Sequence, residues 1–138
     1  MDDNALILIV VIAILIIMSA YFSATETAFS SLNKIKLKNL AVNGSKRAES
    51  TLNLAKKFDS ILSTILIGNN IVNIASASIA TIVFTKYYGD AGVTISTIVM
   101  TIVVLIFGEI SPKSLSKESP EKFAMFSTPI WKVLLIIF

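Results

Sequence analysis

Residues 5–22 read ALILIVVIAILIIMSAYF, a run without a single charge. As one helix it is long enough to cross the hydrocarbon of a bilayer. The segment before it is acidic (Asp2, Asp3), and the run exceeds a typical signal core, so a secretion signal is not the preferred reading. The helical pattern continues through Ser23-Ala24-Thr25-Glu26-Thr27-Ala28. This predicts one long helix over about 5–32 with a polar end.

Two more apolar blocks follow, at about 60–84 and 92–110, joined by the turn Lys86-Tyr87-Tyr88-Gly89-Asp90 with its interfacial aromatics. Between the first two blocks lies a basic, amphipathic stretch, 33–57, which Asn43-Gly44 should split into two short helices. After the third block a polar stretch leads into Phe123–Phe138. That segment is apolar but carries Pro129 and Lys132 and is short for a crossing. It predicts an interfacial or re-entrant helix over about 120–138. Because the run is still apolar at Phe138, a soluble C-terminal part is expected to follow.

Composition agrees with the blocks. Of 138 residues, 54% are hydrophobic and only 15% charged, with a mean hydropathy of +0.79. A soluble domain of this size would carry far more charge. The absence of cysteine excludes disulfides and thiolate metal sites, and the absence of histidine removes the usual zinc ligand and general base. A bound metal must therefore be held by oxygen, which favours Mg²⁺, Ca²⁺ or a monovalent ion. With no nucleophile–base pair either, no enzymatic activity is expected.

The net charge of +3 does not point to nucleic acid, because the basic residues flank the apolar blocks. Seven of the twelve lie between the first two spans, four follow the third, and only Lys86 lies in the remaining loop. That asymmetry places 33–57 and the C-terminus in the cytoplasm and the N-terminus outside.

Three polar clusters interrupt the apolar blocks: Ser23, Glu26 and Thr27; Gly68-Asn69-Asn70 with Asn73; and Gly108-Glu109 with Ser111 and Pro112. Ser23, Glu26 and Thr27 share a helical face, as do Asn69 and Asn73. A carboxylate at the bilayer centre costs on the order of 3 kcal/mol. Neither Glu26 nor Glu109 has an obvious basic partner at that depth, and a cation from solution would neutralise them. Pro112 has no N–H, so the carbonyl four residues earlier, that of Gly108, loses its helical partner beside the Glu109 carboxylate. Freed carbonyls at broken membrane helices commonly coordinate ions. The duller readings are interhelical hydrogen bonding for the asparagines, back-bonding for Ser23 and Thr27, and interfacial positions for the two glutamates.

The strings Phe22-Ser23-Ala24 with Glu26-Thr27-Ala28, Gly68-Asn69 with Asn73, and Phe107-Gly108-Glu109-Ile110 with Pro112-Lys113 resemble, in order and separation, the signatures of the CNNM/CorC family transmembrane domain. The resemblance covers essentially the whole chain. It implies an all-α integral membrane fold with three transmembrane helices, short cytoplasmic-side belt helices, and a homodimer formed through the transmembrane helices. It also implies a multi-pass protein of the plasma or inner membrane that carries Mg²⁺ outward, with exchange for Na⁺ proposed. The Mg²⁺ site would fall on Ser23, Asn69 or Asn73, the Gly108 carbonyl and Glu109. Glu26, Thr27 and Asn70 are secondary candidates, and Pro112 would hold the helix break. The CBS and transporter-associated domains that usually follow in the family are absent from these residues. The rival readings are a non-transporting dimeric anchor for a cytosolic sensor and a cation channel.

Overall fold

The computed structural model describes residues 3–137; Asp2 and Phe138, used above, lie outside the described residues. Among the described residues all regular structure is helical: α1 (Asp3–Ser31), α2 (Lys34–Val42), α3 (Lys46–Ala55), α4 (Phe58–Tyr88), a 3₁₀ turn (Gly89–Ala91), α5 (Gly92–Val103), a π-helical segment (Val104–Ile110), α6 (Ser111–Glu118) and α7 (Pro120–Ile137). Two stretches are long and apolar enough to cross a membrane, Asp3–Ser31 and Phe58–Glu118, the second including the turn at Gly89.

The chain divides into two compact units. The first comprises the residues up to Ser23 together with Gly68–Pro112. Its centre is a helical hairpin of α4 and α5. Gly89 takes the left-handed backbone (φ +64°) that lets the chain turn. Gly92 then packs so tightly that a Cβ would sit 2.5 Å from the Phe84 carbonyl oxygen, so no other residue fits. Further along the arms, the Thr81 and Ser96 hydroxyls meet at 3.4 Å.

Burial in this unit is inverted relative to a soluble protein. Ser19, Ser23, Ser76 and Ser96 are each 1% exposed, whereas Ile17 and Ile74 are 67% and 68% exposed. Small residues inside and branched aliphatics outside is the pattern of helices packed in lipid, where close approach rather than the hydrophobic effect holds them together. The outward threonines fit the same solvent. Thr97 and Thr101 donate to the carbonyls of Val93 and Thr97, one turn back, and so hide their hydroxyl protons. Of the small-residue run Ala75–Ser78 with Ala80, Ser76 and Ala80 are buried, as close helix packing requires.

The second unit comprises Ala24–Ile67 and the residues from Lys113 onward. The basic stretch forms two short helices divided at Gly44 (φ +102°). Each has a side-chain cap: the Asn33 amide oxygen accepts from the Lys36 N–H (3.1 Å) and the Ser45 hydroxyl from the Ala48 N–H (3.2 Å). Helix α3 buries Ala48, Thr51, Leu54 and Ala55. It packs on α7, where Trp131 is fully buried and the Thr51 and Thr128 hydroxyls meet at 2.7 Å. Ser116 of α6 donates to the Ala24 carbonyl of α1 at 2.6 Å.

Pro112 does not break the helix, contrary to the reading from sequence. It occupies the second position of α6, directly after the π segment, and the helical backbone runs on through it to Glu118. The irregularity lies one turn earlier, in the π segment.

Candidate cation site

The hairpin sets the register of the site. From the Thr81–Ser96 contact, twelve residues back along α4 reach Asn69 and twelve forward along α5 and the π segment reach Gly108. These steps run about 18 Å down each arm, so Asn69 and Gly108 arrive at one level. Helix α1 supplies the third member of that layer. The Ser19 hydroxyl donates to Asn69 Oδ1 at 2.8 Å. A Cβ on Gly108 would lie 3.1 Å from Ser19 Oγ. Glycine at 108 is therefore what allows the backbone of the π segment to approach this hydroxyl. Next to this layer, Gly68 faces the Phe22 ring so closely that a Cβ would meet its edge at 2.9 Å.

The π segment changes which carbonyls are left without a donor. The Ser111 N–H bonds the Ile106 carbonyl, five residues back. Pro112, next in line, can donate neither to Phe107 (five back) nor to Gly108 (four back). One donor is thus missing, and its place falls to Phe107 in the five-residue register or to Gly108 in the four-residue register, where the sequence pointed to Gly108 alone. Both Gly108 and Pro112 are buried.

Two side chains near this layer lack partners. Asn73, one turn from Asn69 on the same face of α4, has its Oδ1 buried with no hydrogen-bond donor. An unmet buried amide oxygen costs about 1–3 kcal/mol. Glu109 is half-buried, and among the described residues its carboxylate has neither an ion-pair nor a hydrogen-bond partner. No group of three or more acidic side chains occurs among the described residues, so a cation here would rely on one carboxylate and neutral oxygens.

Of the residues picked from sequence, the first unit holds Ser23, Asn69, Asn73, Gly108, Glu109 and Pro112. Ser23 is buried one turn from Ser19 on the same face of α1. Asn70 also belongs to this unit and is exposed. Glu26 (half-buried) and Thr27 (buried) belong to the second unit. Ser19 escaped the sequence reading because it sits inside the uncharged run 5–22. Its spacing of four from Ser23 was the available signal.

All the oxygen types present (hydroxyl, amide, backbone carbonyl and a single carboxylate) are hard donors suited to Mg²⁺ or Ca²⁺.

Residues 10–138 match the family described as the cyclin M transmembrane N-terminal domain. A UPF0053 protein of Haemophilus influenzae is 45% identical over 131 residues, which cover 95% of this chain and 31% of that protein. The UPF0053 inner membrane protein YfjD of Escherichia coli is 44% identical over 119 residues, covering 86% of this chain and 28% of its own length. A DUF21 domain-containing protein of Arabidopsis thaliana, named as chloroplastic, is 35% identical over 114 residues, 83% of this chain and 17% of its own. The chain therefore spans less than a third of the length of these relatives.

Proposed function

The chain belongs to the cyclin M transmembrane domain family, and from that premise we propose that it is the membrane part of a Mg²⁺ transporter whose ion is held in the Ser19–Asn69–Gly108 layer. The observation that carries this reading is the lone Glu109 carboxylate, unpaired among the described residues and adjacent in sequence to Gly108. Mg²⁺ demands near-octahedral oxygen and gives up water reluctantly. The carboxylate offsets that dehydration. The Ser19 and Ser23 hydroxyls, the Asn69 and Asn73 amide oxygens and the Gly108 carbonyl replace part of the water shell.

In this reading the chain crosses the membrane three times, through α1, α4, and α5 with the π segment. Its N-terminus lies outside, its basic helices α2 and α3 lie in the cytoplasm, and two copies pair through their transmembrane helices. The membrane is the inner or plasma membrane, as the name of the Escherichia coli relative suggests. Transport runs outward, coupled to inward Na⁺ flow, with no enzymatic step. A non-transporting anchor is the second reading.

Glu109→Gln separates the two. It preserves size and removes the charge. A transporter loses Mg²⁺ binding in calorimetry and efflux from loaded liposomes. An anchor keeps its fold and its oligomeric state and shows no Mg²⁺ binding to lose.

A further inference from the structure

The second unit contains a cavity of about 340 Å³ between α3 and α7, lined by Lys46, Arg47, Ser50, Thr128, Pro129 and Lys132. Three of the six are cations, and none of them has a carboxylate partner among the described residues. Lys132 is held in place by donating to the Ser50 hydroxyl at 3.0 Å, which leaves its other two N–H donors free. Three cations converging on one concavity repel each other, so the cavity is built for an anion. Lys46 and Arg47 also open α3, where the positive end of the helix dipole adds to the same field.

Helix α7 indicates what carries the anion. At 3.6 residues per turn, its buried residues Ala124, Ser127, Thr128 and Trp131 form one face. Phe126, Ile130 and Val133, which are 64%, 43% and 57% exposed, form a stripe on the opposite face. Pro129 and Lys132 lie between the two faces, so the cavity opens at the edge of an uncovered apolar stripe. A soluble anion has no use for that stripe. An amphiphile does: its charged head fits the cavity while its chains run along Phe126, Ile130 and Val133.

We infer that the α3–α7 cavity binds the phosphate headgroup of an anionic phospholipid. Arg47 supplies a forked donor to the phosphate oxygens, and Lys46 and Lys132 flank it as point charges. The lipid ties α3 and α7 to the membrane surface. Basic pockets on the cytoplasmic side of membrane proteins hold such headgroups.

The test is native mass spectrometry of the intact chain in detergent, titrated with dioleoyl phosphatidylglycerol and, separately, with phosphatidylcholine. Phosphatidylglycerol should be retained and phosphatidylcholine should not. The triple variant K46Q/R47Q/K132Q should weaken retention on the order of a hundredfold, since each cation near an anionic surface is worth about fivefold. The charge-matched control K34Q/K36Q/K38Q on α2 should retain the lipid like the parent. The amide that K132Q introduces can still donate to Ser50, and circular dichroism checks that the triple variant is folded. Equal retention by parent and folded triple variant overturns the site. Equal losses in the triple variant and its control also overturn it, because the attraction is then diffuse. Displacement of the lipid by equimolar glycerol 3-phosphate overturns the lipid assignment in favour of a soluble phosphate.

Discussion

Ser19 of α1 donates its hydroxyl proton to the amide oxygen of Asn69 in α4, 2.8 Å away, at the level where Gly108 comes closest to the same hydroxyl. One side chain thus joins three segments that the sequence keeps far apart. Its substitution should separate structure from ion binding. Ser19→Ala removes one interhelical hydrogen bond, which in membranes is worth about 0.6 kcal/mol, so the melting temperature in detergent should fall only slightly. If Ser19 also presents its oxygen to the ion, the extra stabilisation by MgCl₂ should shrink clearly. A Mg²⁺-induced shift equal to that of the parent would reduce Ser19 to a packing residue.

Gly108→Ala tests the same contact from the other side. The new methyl would press on Ser19 Oγ from 3.1 Å, and the hydroxyl must move away from Asn69 to make room. We expect loss of stability of about 1–2 kcal/mol and weakened Mg²⁺ binding. The double variant S19G/G108A relieves the crowding, so its stability should exceed the sum of the single effects, a coupling visible in a double-mutant cycle. Strict additivity in melting temperature would mean that the two residues do not meet.

Glu109→Gln should lower apparent Mg²⁺ affinity by about tenfold or more while leaving the helical content unchanged, because the number of charged ligands tunes affinity at oxygen sites. Asn73→Leu should act on both properties in opposite directions. It replaces an amide whose buried oxygen has no donor, so the ion-free protein should become more stable, by up to about 1–3 kcal/mol. Binding measured by calorimetry should fall. A stabilised variant with undiminished Mg²⁺ binding would remove Asn73 from the ligand set.

These four residues also show what the sequence could and could not reveal. The long apolar helices, the turn at Lys86–Asp90 and the break at Asn43–Gly44 were legible because charge and glycine punctuate them. The polar clusters stood out because apolar surroundings make each Asn or Glu conspicuous. Ser19 did not, since a serine in a hydrophobic run costs little and usually bonds back to its own helix. The π segment left no composition signal at all. Pro112 therefore reads from sequence as an end, although the helix continues through it. Helical spacing alone groups Glu26 and Thr27 with Ser23, whereas α1 divides between two compact units at Ser23–Ala24.

In the second unit, the Thr51 and Thr128 hydroxyls compete for protons. Each has one proton to give, yet Thr51 lies 2.9 Å from the Arg47 carbonyl, Thr128 lies 2.7 Å from the Ala124 carbonyl, and the two hydroxyls lie 2.7 Å from each other. Three contacts share two protons, so one is always unfilled. Thr51→Val or Thr128→Val should therefore cost only about 1 kcal/mol, at the low end for a buried polar group. The double variant should cost less than the two singles together, read as melting temperature in detergent. A cost of several kcal/mol for either single variant would show that the hydroxyl pair is a stronger link between α3 and α7 than its proton count allows.

Pro112→Ala restores the N–H whose absence the π segment accommodates. Pro112 is buried at the second position of α6, so the smaller side chain brings no clash. The new donor can close on the Phe107 carbonyl in the five-residue register or on Gly108 in the four-residue register. The four-residue bond withdraws the Gly108 oxygen that the proposed ion site would use. The variant should therefore gain helix stability, since proline is a poor helix former and alanine the best, and lose Mg²⁺ affinity. Hydrogen exchange should show slower exchange across Ser111–Lys113 together with a weaker Mg²⁺ response. Slower exchange with full Mg²⁺ affinity would mean that neither carbonyl coordinates the ion, and that the π segment serves only to bring Gly108 up against Ser19.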